Sequence, residues 1–174
     1  TGVITKLEKT KRKEKAPMLY DLTALQREAN TRFGFSARRT LGAAQRCYEE
    51  HKALTYPRTN SRYLTSDMVP ELQEIATHVG AHPEYAAAGK YVNGLDVLPL
   101  GRVVDDEKVG DHHAIIPTNA QHVLDKMNDD DRRIYDMVTR RFLAVFHPEA
   151  EFDNTRVETT VAEHVFRTRG KILT

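Results

Sequence analysis

Within residues 53–63, Ala-Leu-Thr-Tyr-Pro-Arg-Thr-Asn-Ser-Arg-Tyr, a potential nucleophile, two cations and several hydroxyls are packed more closely than anywhere else in the chain. Proline pushes the residue before it out of the helical region, so Tyr56 is expected on extended backbone with Arg58 projecting from the same side. A phenol ionises near pH 10 and is a poor nucleophile at neutrality unless a cation favours the phenolate or a base takes the proton. Arg58 can supply that charge, and its planar fork fits a pair of phosphate oxygens better than a carbonyl. Thr59, Ser61 and Arg62 add donors suited to a phosphodiester backbone, so the implied electrophile is phosphorus. Taken alone, the same window also fits a half-buried tyrosine ring closing a turn.

Asp111-His112-His113 is the other group with chemical potential. Adjacent side chains point apart on most backbones and no further ligands stand nearby, so a metal centre is not expected; hydrogen-bonded loop histidines fit the same residues. Cys47 is the only cysteine, which excludes an internal disulfide. It lies beside Ala43 and Ala44 in a helical pattern and reads as a small core residue.

The elements that must position these groups are mainly helical. Asp21 is a plausible N-cap for a helix with Leu22, Leu25, Ala29 and Phe33 on one face, closed by Gly34. Ser36 can cap a second helix, with Ala37, Leu41, Ala44 and Tyr48 as its buried stripe and an end near His51. The two form a tight corner of the helix-turn-helix kind, and the second delivers the chain into the Tyr56 stretch with Arg38, Arg39 and Arg46 along it. Further helices are expected over 67–79, with Pro70 in the first turn, and over 83–91. A long one follows Asp129-Asp130-Asp131 and runs to about His147. It buries Ile134, Met137, Val138, Phe142, Val145 and Phe146 and leaves Arg132, Arg133, Arg140 and Arg141 largely outside. The period changes to two at Val157, Thr159 and Val161, then Val165-Phe166, with Gly170 breaking the second run, which is a β-hairpin pattern. Its natural partner is a short β-prone segment over 2–7. Lys9 to Lys15 reads as a charged linker, with a first boundary near Pro17.

Composition bounds the rest. The 174 residues, 40% hydrophobic and 29% charged, suit a soluble globular chain with a modest core. No apolar run is long enough to cross a bilayer and no leader pattern stands at Thr1-Gly2-Val3, so a cytoplasmic setting is expected. A formal net charge of +1 creates no strong global field, so binding to nucleic acid would have to come from local patches.

Tyr56-Pro57-Arg58-Thr59-Asn60-Ser61 resembles the active-site signature of type IA DNA topoisomerases, in which a tyrosine followed by a small or apolar residue, Arg, Thr or Ser, Asp and Ser attacks one DNA strand. The resemblance extends upstream through Leu25-Gln26-Arg27-Glu28-Ala29-Asn30, Phe33-Gly34-Phe35-Ser36, Thr40-Leu41 and Ala44-Gln45-Arg46-Cys47-Tyr48-Glu49. Downstream it takes in Asp111-His112-His113-Ala114-Ile115-Ile116-Pro117-Thr118 and Arg140-Arg141-Phe142-Leu143-Ala144. The double His and the Tyr-Pro-Arg form are more similar to the topoisomerase III branch than to topoisomerase I. Asn60 stands where the family usually has Asp, which keeps a hydrogen-bonding role and removes a carboxylate one.

The resemblance implies a mainly α fold with short antiparallel β-arms: a β-arm and linker over 1–16, a helical domain with the tyrosine over 17–150, and a β-hairpin over 151–174 returning to an adjoining arch. It implies that Tyr56 attacks a single-strand phosphodiester, giving a 5′-phosphotyrosine and a free 3′-hydroxyl, that Arg58 neutralises the scissile phosphate, and that His112 holds a phosphate nearby. Thr59, Ser61, Arg62, His113, Arg38, Arg39 and Gln45 would contact DNA. Magnesium would be bound in the parent enzyme by an acidic cluster outside this chain, so the isolated chain is expected to be inactive. The implied partners are single-stranded DNA and the rest of the same chain, in a monomeric, nucleoid-associated cytoplasmic protein with no membrane partner. Two other classes fit the residues alone: a non-enzymatic helix-turn-helix-like DNA-binding module, and a structural domain in which Tyr56 is packing.

Overall fold

Capping chemistry sets the borders of the first helices. In the computed structural model, which describes residues 1–121 and 124–174, α1 (Leu22–Phe33) begins where Asp21 accepts a hydrogen bond from the Ala24 amide at 2.6 Å. It ends at Gly34, whose φ of 68° lies in the left-handed region that glycine enters without penalty. Ser36 accepts from the Arg39 amide at 3.1 Å and starts α2 (Ala37–Glu49). Asn30 Nδ2 donates to the Phe35 carbonyl at 3.0 Å across the corner between them.

A short 3₁₀ turn at Ser66–Met68 leads into α3 (Val69–Gly80), and α4 (Ala86–Asn93) folds back on it. Their crossing is as close as two glycines allow: a Cβ on Gly89 would lie 2.8 Å from Gly80 Cα and 2.9 Å from the Ala76 carbonyl oxygen. The last helix, α5 (Asp129–Ala144), is capped by Asn128, which accepts from the Asp131 amide at 2.9 Å. The cap is thus the residue before the three aspartates, whose charges then occupy the positive first turn. Val145 and Phe146, beyond the helix, are buried with Ile134, Val138 and Phe142. No helix among the described residues is long and apolar enough to cross a membrane.

Two expectations about helix faces are corrected. The buried stripe of α2 is Thr40, Ala43, Ala44 and Cys47, the face turned to α1 and α5, while Ala37 is exposed and Tyr48 keeps 37% of its surface. Small residues let the helices approach, so the bulky Tyr48 is left to pack elsewhere. Arg141, expected outside, is drawn inward with its side chain 12% exposed: it donates to the Met18 carbonyl and the Tyr20 hydroxyl, both at 2.9 Å, and pairs with Glu28. A buried guanidinium is tolerable only with such partners.

Residues 17–147 form this helical unit; residues 1–16 and 148–174 form a second one. The second is an antiparallel sheet in the order β1 (Val3–Glu14), β2 (Ala150–Val161), β3 (His164–Leu173). The register runs from Val3 opposite Thr160 to Glu14 opposite Ala150, with a bulge between Ile4 and Lys6. Here the lysine-rich run read as a linker is strand. Cross-strand charge explains it, since Lys13 pairs with Glu151 at 2.7 Å and Lys11 stands opposite Asp153. Gly170 does not break β3 either; it pairs opposite Thr155 and the strand continues to Leu173.

Candidate active site

The approach to Tyr56 is a tight turn. After α2 the Ala53 amide donates to the Cys47 carbonyl at 2.8 Å, and Lys52 adopts φ 55°, a left-handed conformation unusual for a residue with a Cβ. The segment that follows is extended and pairs with residues 114–118. The Thr55 amide donates to the Ile116 carbonyl at 2.9 Å, the Ile116 amide to Thr55 Oγ1 at 3.0 Å, and the Thr118 amide to the Ala53 carbonyl at 3.0 Å. Beyond Tyr56 the Thr59 carbonyl accepts from the Leu22 amide at 3.0 Å, at the start of α1. Three stretches distant in sequence are thereby sewn together by backbone bonds, which fixes the tyrosine strand far more rigidly than a free loop.

This pairing brings Tyr56 and His112 together, with ring centroids 4.3 Å apart and planes inclined by 43°. On its other side Tyr56 meets Tyr48 edge to face, at 5.4 Å and 78°. Tyr48 was missed from sequence because helical periodicity put it in the core. Among the described residues none hydrogen-bonds the Tyr56 hydroxyl. Arg58 is exposed, and its Nη2 donates to Gln45 Oε1 at 3.3 Å; Gln45 Nε2 in turn donates to Glu49 at 2.9 Å. Arg58, Asn60 and His112 share an open cleft of about 580 Å³ with Gly110, Asp111 and the start of α1. A guanidinium, an amide and an imidazole facing one cleft beside a phenol can receive an anionic group.

The hydroxyls of the stretch have a different place from the one their types suggest. Thr59 is 7% exposed and donates from Oγ1 to the His112 carbonyl at 2.9 Å, while accepting from the Ser61 amide at 3.1 Å. Ser61 is 4% exposed; it donates to the Lys108 carbonyl at 2.8 Å and accepts from the Tyr63 amide at 3.1 Å. Both therefore tie the Tyr56 strand to the loop that carries His112. Arg62 pairs with Asp21 at 2.7 Å, the same residue that caps α1. His113 Nδ1 lies 2.7 Å from the Ala114 carbonyl oxygen. Arg39 grips Asp130 with two bonds of 2.7 and 2.8 Å and lies 4.1 Å above the Phe35 ring. Arg38 is exposed, with no hydrogen-bond or ion-pair partner among the described residues.

A buried anchor stands behind the site. Asp131, 1% exposed, accepts from Arg46 Nε at 3.0 and 3.2 Å and from Nη2 at 2.7 Å, and lies 3.2 Å from His51 Nε2. It links the end of α2 and the turn before Tyr56 to the first turn of α5. Its side-chain bond with Arg46 holds the guanidinium above its ordinary pKa. Nearby, burial pushes the Cys47 thiol up to about 12, as befits a packed core thiol. Among the described residues no three His, Cys, Asp or Glu side chains are grouped to hold a metal ion.

Residues 1–174 match a protein-family model described as DNA topoisomerase. The chain is 44% identical over 170 residues to DNA topoisomerase 3 of Bacillus subtilis, covering 98% of this chain and 23% of that protein. It is also 44% identical over 172 residues to DNA topoisomerase 3 of Bacillus cereus, covering 99% and 24%. The chain thus spans about a quarter of the length of the curated relatives it matches. The fold resembles that of full-length topoisomerase I from Thermotoga maritima, with a TM-score of 0.62 at 24% identity over 99% of this chain and 27% of that one.

Proposed function

This chain belongs to the DNA topoisomerase family, as a type IA, topoisomerase III-like member, and we propose that within the parent enzyme it supplies the nucleophile that opens and reseals one DNA strand. The observation that carries this reading is that Arg58 and His112 line one cleft and that His112 packs on the Tyr56 ring. In the proposed step the Tyr56 oxygen attacks a backbone phosphorus, and the bond from phosphorus to the 3′ oxygen breaks. The phenol proton is lost and the 3′ oxygen gains one, leaving a 5′-phosphotyrosine and a free 3′-hydroxyl. Another strand passes through the gap and the reverse step reseals it. No external energy source is required, because the new phosphodiester keeps the bond energy of the old one.

Each side chain then has a task. Arg58 offsets the charge that develops on the phosphoryl oxygens, held ready by Gln45 rather than competing with water alone. His112, packed on the Tyr56 ring, holds a phosphate oxygen beside the scissile bond. Tyr48 and the Thr59 and Ser61 bonds keep the ring and the His112 loop in register, which is where orientation contributes most to rate. Single-stranded DNA is the proposed substrate, because the reaction opens one strand at a time. Magnesium would be held outside these residues in the parent enzyme and would supply charge neutralisation there.

The test is relaxation of a negatively supercoiled plasmid by the parent enzyme. Arg58→Lys keeps the charge and loses the fork, and should reduce relaxation by more than about tenfold with less than about threefold loss of DNA affinity. A parallel fall in binding and activity would instead mean that Arg58 serves DNA binding rather than the chemical step.

A further inference from the structure

The sheet unit carries a cleft of its own, of about 420 Å³. Residues directly opposite in an antiparallel ladder share a face, so Glu8, Arg156 and Arg169 form one row, and Thr10, Asn154 and Lys171 the next. Arg12 follows in the row of Phe152. The cleft is lined by Thr10, Arg12, Asn154, Arg156 and Arg169, with Glu8 as its one carboxylate.

The acids near these arginines stand against Arg156, Glu8 opposite it in the ladder and Glu158 in an ion pair with it, but each is bonded more closely to another cation. Glu8 pairs with Lys6 at 2.7 Å, and Glu158 with Arg167 at 3.0 Å, whereas Arg156 approaches Glu158 only to 3.6 Å. Arg12 and Arg169 have no hydrogen bond or ion pair among the described residues. Arg156 Nε and Asn154 Nδ2 are shielded from solvent and have no hydrogen-bond partner. Two shielded, unpartnered donor atoms beside two guanidiniums without an ion pair suit an acceptor with several oxygens and negative charge. Gly170, opposite Thr155, adds no side chain to close the opening.

We propose that this cleft binds a backbone phosphate of single-stranded nucleic acid, as a contact separate from the Tyr56 cleft. A phosphodiester offers two charged oxygens to the forks of Arg12, Arg156 and Arg169 and further acceptors to Asn154. The inference rests on the reading that the parent enzyme handles DNA, but it concerns binding alone and needs no cleavage.

The experiment uses the parent enzyme carrying Tyr56→Phe and measures anisotropy of a labelled oligo-dT across a salt series. Arg12→Gln/Arg169→Gln and the triple variant with Arg156→Gln are compared with the Tyr56→Phe background. Losing one phosphate contact flattens the slope of log affinity against log salt by about 0.7, so a flattening of about 0.7 is expected, with several-fold weaker binding at low salt. The double variant removes only exposed side chains and guards against a folding defect. Adduct formation on a short oligonucleotide, measured with Tyr56 intact, should be unchanged by the same substitutions. Failure of adduct formation in the unsubstituted enzyme would sink the proposed function and leave the slope comparison standing. An unchanged slope in both variants overturns the cleft as a phosphate site. So does a lowered melting temperature with unchanged slope, which would mean that a carboxylate from the rest of the parent chain fills it.

Discussion

Replacing Asp131 by alanine removes the carboxylate on which the approach to Tyr56 is anchored. It is 1% exposed and receives three bonding distances from Arg46, of 2.7, 3.0 and 3.2 Å, with His51 Nε2 at 3.2 Å. Hydrogen bonds to a charged group contribute about 1.5–3 kcal/mol each, and stripping one partner from a buried pair costs about 3–5 kcal/mol. Arg46 is 37% exposed and can turn to water, whereas His51, at 16%, has less freedom. These place the expected loss near the lower end of that range, about 3 kcal/mol. Asn128 still caps α5, because it accepts from the backbone amide of residue 131. Urea unfolding of the 174-residue chain, followed by helical circular dichroism, measures the loss, and Asp131→Asn should recover part of it. In the parent enzyme adduct formation should fall as well, since Arg46 and His51 flank the turn that presents Tyr56. A loss below about 1 kcal/mol would refute the reasoning, because it would mean the ion cluster barely exceeds its desolvation cost.

Gly89→Ala should destabilise the helical unit by about 1–3 kcal/mol, since the new methyl meets Gly80 Cα at 2.8 Å and a carbonyl oxygen at 2.9 Å, neither able to move aside cheaply; a thermal melt with no shift would contradict this. Thr59→Val keeps the shape but breaks the bonds to the His112 carbonyl and from the Ser61 amide, at a cost of about 1–2 kcal/mol, and adduct formation by the parent should slow by a larger factor than the stability loss explains. Stability should also fall at alkaline pH: Cys47 ionises at about 12 in the fold against 9.0 ordinarily, so the unfolded chain releases its proton first. That contribution is intact below pH 9 and is lost by about 1.4 kcal/mol per unit as pH rises towards 12; Cys47→Ala should show a shallower decline in its urea midpoint.

What the sequence disclosed is what neighbouring residues decide among themselves. Asp21, Ser36 and Gly34 act on backbone groups three to five residues away, so the corner between α1 and α2 was readable, as was the extended backbone that Pro57 imposes on Tyr56. The face of α2 was not, because which of two adjacent stripes is buried depends on α5, whose contact with it bridges some 85 residues of sequence. The same distance hid Asp131 behind an ordinary helix N-terminus and left Arg141 looking like a surface cation. Thr59 and Ser61 were recognised as polar members of the stretch, but their acceptors are carbonyls of His112 and Lys108, which no local pattern connects to them. The strand character of Lys9 to Lys13 likewise depended on acidic partners in β2.

The identity of the attacking residue can be measured without reference to topology. The parent enzyme is incubated with single-stranded DNA labelled near its 5′ end or its 3′ end, denatured, digested with protease, and the nucleotide-bearing peptide is sequenced by mass spectrometry. The account predicts that the modified residue is Tyr56, joined to the 5′ phosphate of the downstream DNA piece, and that Tyr56→Phe yields no such peptide. A nucleotide on Tyr48 or Tyr63, or a linkage to the 3′ end, would contradict it.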